Sequence, residues 1–599
     1  MKHPRRGMIL VLVLVVIALL ALAAGSFLRL MVAERRAVDV AGRQAQARAS
    51  AQSGVEMARA LIVQQKDYQD QLGGWYDNEL QFRGRTVIGN QQGPDTGRFT
   101  IVAPRMDYGE VAGIRYGLED ESTRLNINVL AALDKIAPST GRQLLLALPG
   151  MTDEIADAIL DWMDEDDEPR EFGAESEYYA AFGYAPKNGP LESIEELLLV
   201  RGIRENPWLL FGCDTNRNSV IDTGAGEPDP QTIVGVDNSD GSMNRGWAAY
   251  LTLYALESNL NPDGQKKIDL NQSDLQQLYD QIEPVLGKEQ ATFIVAYRLG
   301  EDAGDTEPPS AGTNQELDLT QQPKRSLTTV LDLIGKNVRL TSGNSGGNAG
   351  GTTGGTTGGG AAGNTGGGAT GNTGGGATGN TGGGAAGNTG GGAAGNTGGG
   401  AAGNTGGGTA GNPGGSTTGT GVGGTGGQTP ATPATILQNP FSSDPGAMDS
   451  YLPTLMDYVA VATPSPLAGR INVNQAPKAI LKGIPGMTEQ LVDRIIAARD
   501  PNPTTALSSR RHETWLLSEG LVTLDQMKAL IPFITAGGSV YRAQVVGYSD
   551  LGGPTVRIET ILDATSKPAR VVFWRDITNL GPGYPLEILG IGAGSQAAY

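Results

Sequence analysis

The stretch FGCDTNRNSVIDTGAGEPD holds the residue set best suited to bind a ligand. Asp214, Asn216, Asn218 and Asp222 stand at loop positions 1, 3, 5 and 9, with the carbonyl of Val220 at position 7. Hard divalent cations take several oxygen ligands, and carboxylates and amides at alternate loop positions turn their oxygens to one centre, so the spacing points to calcium. Ser219 stands where a calcium loop has its glycine, and Ala225 where it has a bidentate glutamate, which leaves Glu227 or Asp229 to close the shell. A second acidic run, Asp164, Asp166 and Asp167, offers the same chemistry where a helical pattern ends. The competing readings are a solvated Asn/Asp turn and a solvated helix end. Nucleophilic and thiolate chemistry lack material. Two histidines, His3 and His512, and one cysteine, Cys213, leave no Ser/His/Asp triad, no His-rich zinc site, no thiolate cluster and no internal disulfide.

The elements that must position these loops begin with a membrane segment. From Met8 to Leu28 there is neither charge nor proline, and a helix of that length spans roughly 30 Å, one hydrocarbon core. Lys2, Arg5 and Arg6 precede Gly7, so the clean processing point lies in front of the apolar run. A secretory signal instead has a core of about 7–15 residues with its cleavage site behind it. The arrangement resembles a type IV prepilin leader. That resemblance implies cleavage between Gly7 and Met8, methylation of the new N-terminus and retention of the helix; an uncut signal anchor is the alternative. Arg29, Arg35 and Arg36 flank the far end, so charge asymmetry does not set the orientation.

Beyond the apolar run, Ala47, Ala51, Gly54, Val55, Ala58, Leu61 and Ile62 recur every three or four residues, which predicts one helix continuing to about Gln65. Its small-residue stripe suits close packing on another element. Alternating and β-branched residues from Gly97 predict two or three strands, and strands of that kind return between Ser539 and Asp576. A long helix, early strands, a long insertion and returning strands describe an α+β, pilin-like fold with a helical domain inserted in its antiparallel sheet.

The insertion repeats internally. RLNIN (124–128), KIDLN (267–271) and RINVN (470–474) each precede a helical hairpin, and Asn128, Asn271 and Asn474 are placed to cap the helix that follows. Pro149–Gly150 and Pro485–Gly486 make the hairpin turns, with Thr152 and Thr488 capping the second helices. The unit reads as a helix-hairpin-helix. A phosphate-binding version would have a second glycine where Thr152 and Thr488 stand, and Asp153, Glu154, Asp157 and Asp161 would face a phosphate with like charge. With a net charge of −19, a nucleic-acid partner is disfavoured. A membrane-tethered DNA-binding protein is the alternative function.

The most specific stretch is DAILDWMDEDDEPREFGAESEYYAAFGYAPKNGPLESIEELLLVRGI, residues 157–203. It resembles the minor pseudopilin K family of type II secretion systems, matched by Asp161, Trp162, Asp164, Asp166, Asp167 and Pro169, then by Tyr178, Tyr179, Pro186 to Gly189 and Glu195 to Gly202. The resemblance takes in the leader, INVNQAP and the closing strands, but not the middle repeat or the glycine tract. It implies a non-enzymatic subunit anchored in the inner membrane with its globular part in the periplasm. It further implies processing by prepilin peptidase, contact with the assembly platform, and capping of the pseudopilus with minor pseudopilins I and J. Counted from Met8, the fifth residue is Leu12, where most pilins and pseudopilins carry a glutamate that pairs with the subunit ahead. A tip subunit has none ahead, so Leu12 fits a cap.

The expected organisation is a leader (1–7), membrane segment (8–28), outer half of the helix (29–66), first strands (96–123) and helical domain (124–338). A glycine-rich insert (339–443), the helical domain resumed (444–536), closing strands (537–578) and a tail (579–599) complete it. Between Leu340 and Ser443 there is no charged residue, and residues 358–413 repeat a GGGAAGNT-like unit without large apolar side chains. Burial there cannot offset the entropy of ordering.

Overall fold

The computed structural model describes residues 6–88, 96–107, 110–222, 227–232, 238–303, 310, 317–340, 435–461, 466–550 and 552–591. The chain divides into two units, Met1–Thr341 with Ala434–Tyr599, and Ser342–Pro433. The second, with the repeated glycine tract, lies outside the described residues.

With no proline between Arg6 and Ile62 and with alanine and leucine the commonest residues there, the chain runs as one helix, α1, over Arg6–Ile62. Its two halves differ in what surrounds them. Ile9 to Val40 is exposed throughout, with a mean hydropathy of 3.0 in its most apolar stretch. Ala47, Ala51, Val55, Ala58, Leu61 and Ile62 are buried against the sheet. Glycines set the distance of that contact. A methyl group at Gly54 would lie 2.6 Å from Val545 Cγ1, and one at Gly547 would lie 2.0 Å from the carbonyl of Ala47. The expected small-residue stripe is the side of α1 that meets the strands.

The sheet takes strands from both ends of the chain: β1 (Arg85–Ile88), β2 (Gly97–Asp107), β3 (Glu110–Arg115), β4 (Glu119–Asp120), β5 (Val540–Ser549), β6 (Val556–Asp563) and β7 (Arg570–Asp576). The order is β1-β2-β5-β6-β7, with β3 also on β2 and β4 also on β5, all antiparallel. Ile101 stands opposite Val545, and Val545 opposite Ile558, so all three point at α1. The membrane-length helix, the antiparallel sheet and the inserted helices together make an α+β, pilin-like fold. β1, only four residues long, lies outside the sequence expectation.

The insertion is built from three units on one plan. The second residues of the motifs, Leu125, Ile268 and Ile471, start two-residue strands that pair in parallel with returning strands at Leu251–Thr252, Val459–Ala460 and Ile534–Thr535. Arg124, Lys267 and Arg470 donate to the carbonyls of Ala248, Met456 and Ile531 (3.1, 2.7 and 3.4 Å), each three residues ahead of its returning strand. Asn126, Asp269 and Asn472 accept the N–H groups of Asn128, Asn271 and Asn474 (3.2, 2.8 and 2.9 Å).

Those last asparagines are not helix caps, contrary to expectation; the N-cap positions belong to Val129, Asp274 and Pro477. A side-chain amide carries the donors and acceptor of a peptide group, and here it clamps a distant loop. Asn128 holds both the N–H and the C=O of Leu191, and Asn271 both groups of Leu327. Asn474 accepts the Trp515 indole N–H and donates to the carbonyls of Arg510 and Ala536. Thr152 and Thr488 do cap their helices, through Ile155 N and Leu491 N. One apolar core runs through all three units, including Ile159, Trp247, Phe293, Leu455 and Trp515.

Candidate functional site

The helix Asp153–Met163 buries Ile155, Ala156, Ile159 and Trp162 and ends as the backbone of Asp164 turns extended. Trp162 then anchors the returning chain. Tyr179 meets it edge-on at 5.1 Å and Tyr184 at 6.1 Å. Asn188 donates its backbone N–H to the Trp162 carbonyl and its amide to the Asp166 carbonyl (3.0 and 2.9 Å). The tyrosine pair and the PKNG segment are therefore what folds the acidic turn.

Within that turn, carboxylate oxygens of Asp164, Asp166 and Glu175 lie within 4.8 Å of one another. Glu175 is 4 % exposed, and among the described residues neither of its carboxylate oxygens has a hydrogen-bond partner; nor has Asp164 Oδ1. Burial, and then repulsion from Asp161, Asp164, Asp167 and Asp166, pushes the Glu175 carboxyl up to about 7. Burial raises Asp164 as well, against Arg170. Arg170 Nη1 bridges Asp164 and the fully buried Asp161 at 2.5 and 2.6 Å. Asp167 does not join the group. Its carboxylate faces Ser176, whose side chain first and whose N–H, at 3.2 Å, second hold it below its ordinary value. The third carboxylate of the cluster is thus Glu175, eleven residues beyond Asp164, and no spacing rule pointed to it.

The loop from Asp214 is organised differently. Asp214 accepts the N–H groups of Asn218 and Ser219 (2.9 and 2.8 Å), Asn216 also accepts Asn218 N–H (3.0 Å), and Asn218 accepts Val220 N–H (2.8 Å). The amides of Asn216 and Asn218 donate to Asp222. Glu227 accepts from the backbones of Asn216 and Asp222 (3.0 and 2.8 Å), which puts it across the loop mouth; Ala225 lies outside the described residues. Ser219 has φ +66°, the left-handed conformation for which a glycine is the usual residue. Burial raises the Asp214 carboxyl, opposed by Arg245.

The same loop rests on the closing strands. The Arg217 carbonyl accepts from Gln544 and Arg557 (2.8 and 3.2 Å), and Asn218 donates to Gly583 O (2.7 Å). Beside it, Arg542 binds the fully buried Glu121 at 2.7 Å. Asp120 accepts the Gly538 N–H (2.7 Å) and the Asn472 amide (3.0 Å), joining the outgoing and returning chain.

At the other end of the molecule, Leu12 is 64 % exposed on α1, and Gly7 and Met8 fall in the first turn of that helix. Among the described residues, several bases of the hairpin helices are neutralised by acids of the same hairpins. Arg142 pairs with Asp153 and Asp157, and Lys478 and Lys482 pair with Asp493 and Glu489.

Fold and site define a class: a pilin-like protein with one membrane-length helix, whose sheet is interrupted by a helical domain carrying an acidic turn. Residues 123–209 match the family model of type II secretion system (T2SS), protein K, so the chain carries that family's domain, as the sequence resemblance indicated. The match supports a role of the pseudopilin kind in type II secretion. No curated protein matches the chain.

Proposed function

We propose that this chain is a structural, non-enzymatic minor pseudopilin that caps the type II pseudopilus and helps initiate its assembly for export of folded proteins. Prepilin peptidase cuts between Gly7 and Met8, the new N-terminus is methylated, and α1 holds the chain in the inner membrane with its globular part in the periplasm. Minor pseudopilins I and J and the inner-membrane assembly platform are its partners, and the paired helices act as helix-hairpin-helix units in a structural role.

The observation that carries this reading is the divided surface of α1. Its last turns are used on its own sheet, whereas Ile9 to Val40 is apolar or small over most of its length and uncovered, as a subunit that packs among other helices requires. Leu12 removes the need for a cationic partner ahead in the filament. Calcium is the proposed ligand of Asp164 and Asp166 with Glu175. It is also proposed for the Asp214, Asn216, Asn218, Val220 and Asp222 loop closed by Glu227.

The test is mass spectrometry of the mature N-terminus, expected to begin at a methylated Met8. An intact Met1, or a cut beyond Leu28, would overturn the reading. Leu12→Glu should impair tip assembly with I and J, and unchanged assembly would remove Leu12 from the case.

A further inference from the structure

A cavity of about 410 Å³ lies between the β2–β3 arm, the turn at residues 219–221 and the segment 240–250. That is the size range of small-molecule sites. We propose that it binds a carboxylate carried on a small apolar body, the chemistry of a free peptide end.

Among the acids lining the cavity, each already has a partner. Glu119 is bound by Arg124 at 2.5 Å, Asp120 by Ser122, Gly538 and Asn472, and Asp240 by the Ser242 N–H at 2.9 Å. The arginines are less well matched. Arg115 is 5 % exposed and stacks on the Tyr76 ring at 3.8 Å, giving its terminal nitrogens only to the carbonyls of Tyr76 and Leu118. Among the described residues its Nε–H has no partner, and Glu119 and Asp77 act on its charge without an ion pair to it. Arg245 reaches Asp214 only at 4.0 Å, and both oxygens of Asp214 already accept loop N–H groups.

A buried guanidinium held by carbonyls alone keeps its desolvation penalty, which an anion in contact would offset. The potential here is already positive enough to hold the partly buried Glu119 carboxyl down to about 2, against its desolvation, through Arg124, Arg245 and Arg542. Two incompletely matched cations with Asp240 nearby suit a monoanion rather than a phosphate dianion. Pro104, Ala112, Ala249 and Pro477 supply apolar wall for the ligand's body. A peptide end of a protein in transit and a free small carboxylate share this chemistry.

The site stands independently of the pseudopilin reading. The test uses the full chain in detergent, titrated calorimetrically with N-acetyl-Ala-Ala-Leu as the free acid, the same peptide as its amide, and acetate. The acid is expected to bind saturably, with the amide and acetate each at least tenfold weaker. Arg245→Gln, a change at a partly exposed side chain, should weaken the acid tenfold, and Arg115→Met should do so if it folds. Absence of saturable binding, equal binding of acid and amide, or an unaffected Arg245→Gln would overturn the site. Acetate as tight as the peptide would overturn its apolar half.

Discussion

The two acidic segments proposed to take the same ligand are prepared for it in opposite ways. The loop at Asp214 satisfies its oxygens internally, on its own N–H groups and amides, so it holds its shape without an ion. The turn at Asp164 leaves three carboxylate oxygens unpartnered among the described residues, one residue of the set being almost wholly buried. A spacing that suits calcium therefore does not by itself imply a demand for charge. The demand appears where burial brings like charges together without donors.

The largest expected effect is at Glu175. With calcium at about 100 times its dissociation constant, the protein should gain roughly 2.7 kcal/mol, read as a shift in thermal unfolding against chelator. Glu175→Gln should lose most of that gain and, in chelator, be about 1–2 kcal/mol more stable than the parent, because a repelled buried charge has gone. A calcium shift that survives the substitution would mean that the turn is not the demanding site.

Protonation sharpens the same contrast. The Glu175 carboxyl titrates near 7 in the folded protein and at 4.5 in the unfolded chain. Between those values the folded state holds a proton that the unfolded state has lost. Stability in chelator should be highest below 4.5 and fall as pH rises to 7, and calcium should flatten that fall. A chelator profile that rises through this window would contradict the assignment.

At the loop, Asp214→Asn removes an acceptor for one of two N–H groups and should cost about 1–3 kcal/mol with or without calcium, measured by denaturant unfolding. Ser219→Gly relieves a left-handed φ and is expected to change stability by less than about 1 kcal/mol, stabilising if strain outweighs the entropy of a freer unfolded chain. Smallest of all is removal of residues 358–413. The strands Val338–Leu340 and Thr435–Leu437 pair with Leu340 opposite Thr435, so a short turn can replace what lies between them. Protease resistance and calcium stoichiometry should be unchanged; loss of soluble, protease-resistant protein would show that the tract supports the fold.

The sequence by itself determined the features that rest on neighbours in the chain. These are the apolar span with its small-residue stripe, the capping threonines of the hairpins, the alternation of the strands, and the motif that marks the secretion family. Three repeats were visible because each begins with five residues in a row. What completes each repeat was not visible: the returning strands at 251, 459 and 534 are two residues long and too short for periodicity to register. The clamping role of Asn128, Asn271 and Asn474 likewise depends on segments up to 190 residues away. Only the tertiary structure decided that Asp167 turns to Ser176 while Glu175 completes the acidic group. That choice follows from a buried Trp162–Tyr179 contact that folds one segment over another. Local patterns set which residues can bind an ion, but the balance of burial and available donors, which sets the charge they need, exists only once distant segments have packed.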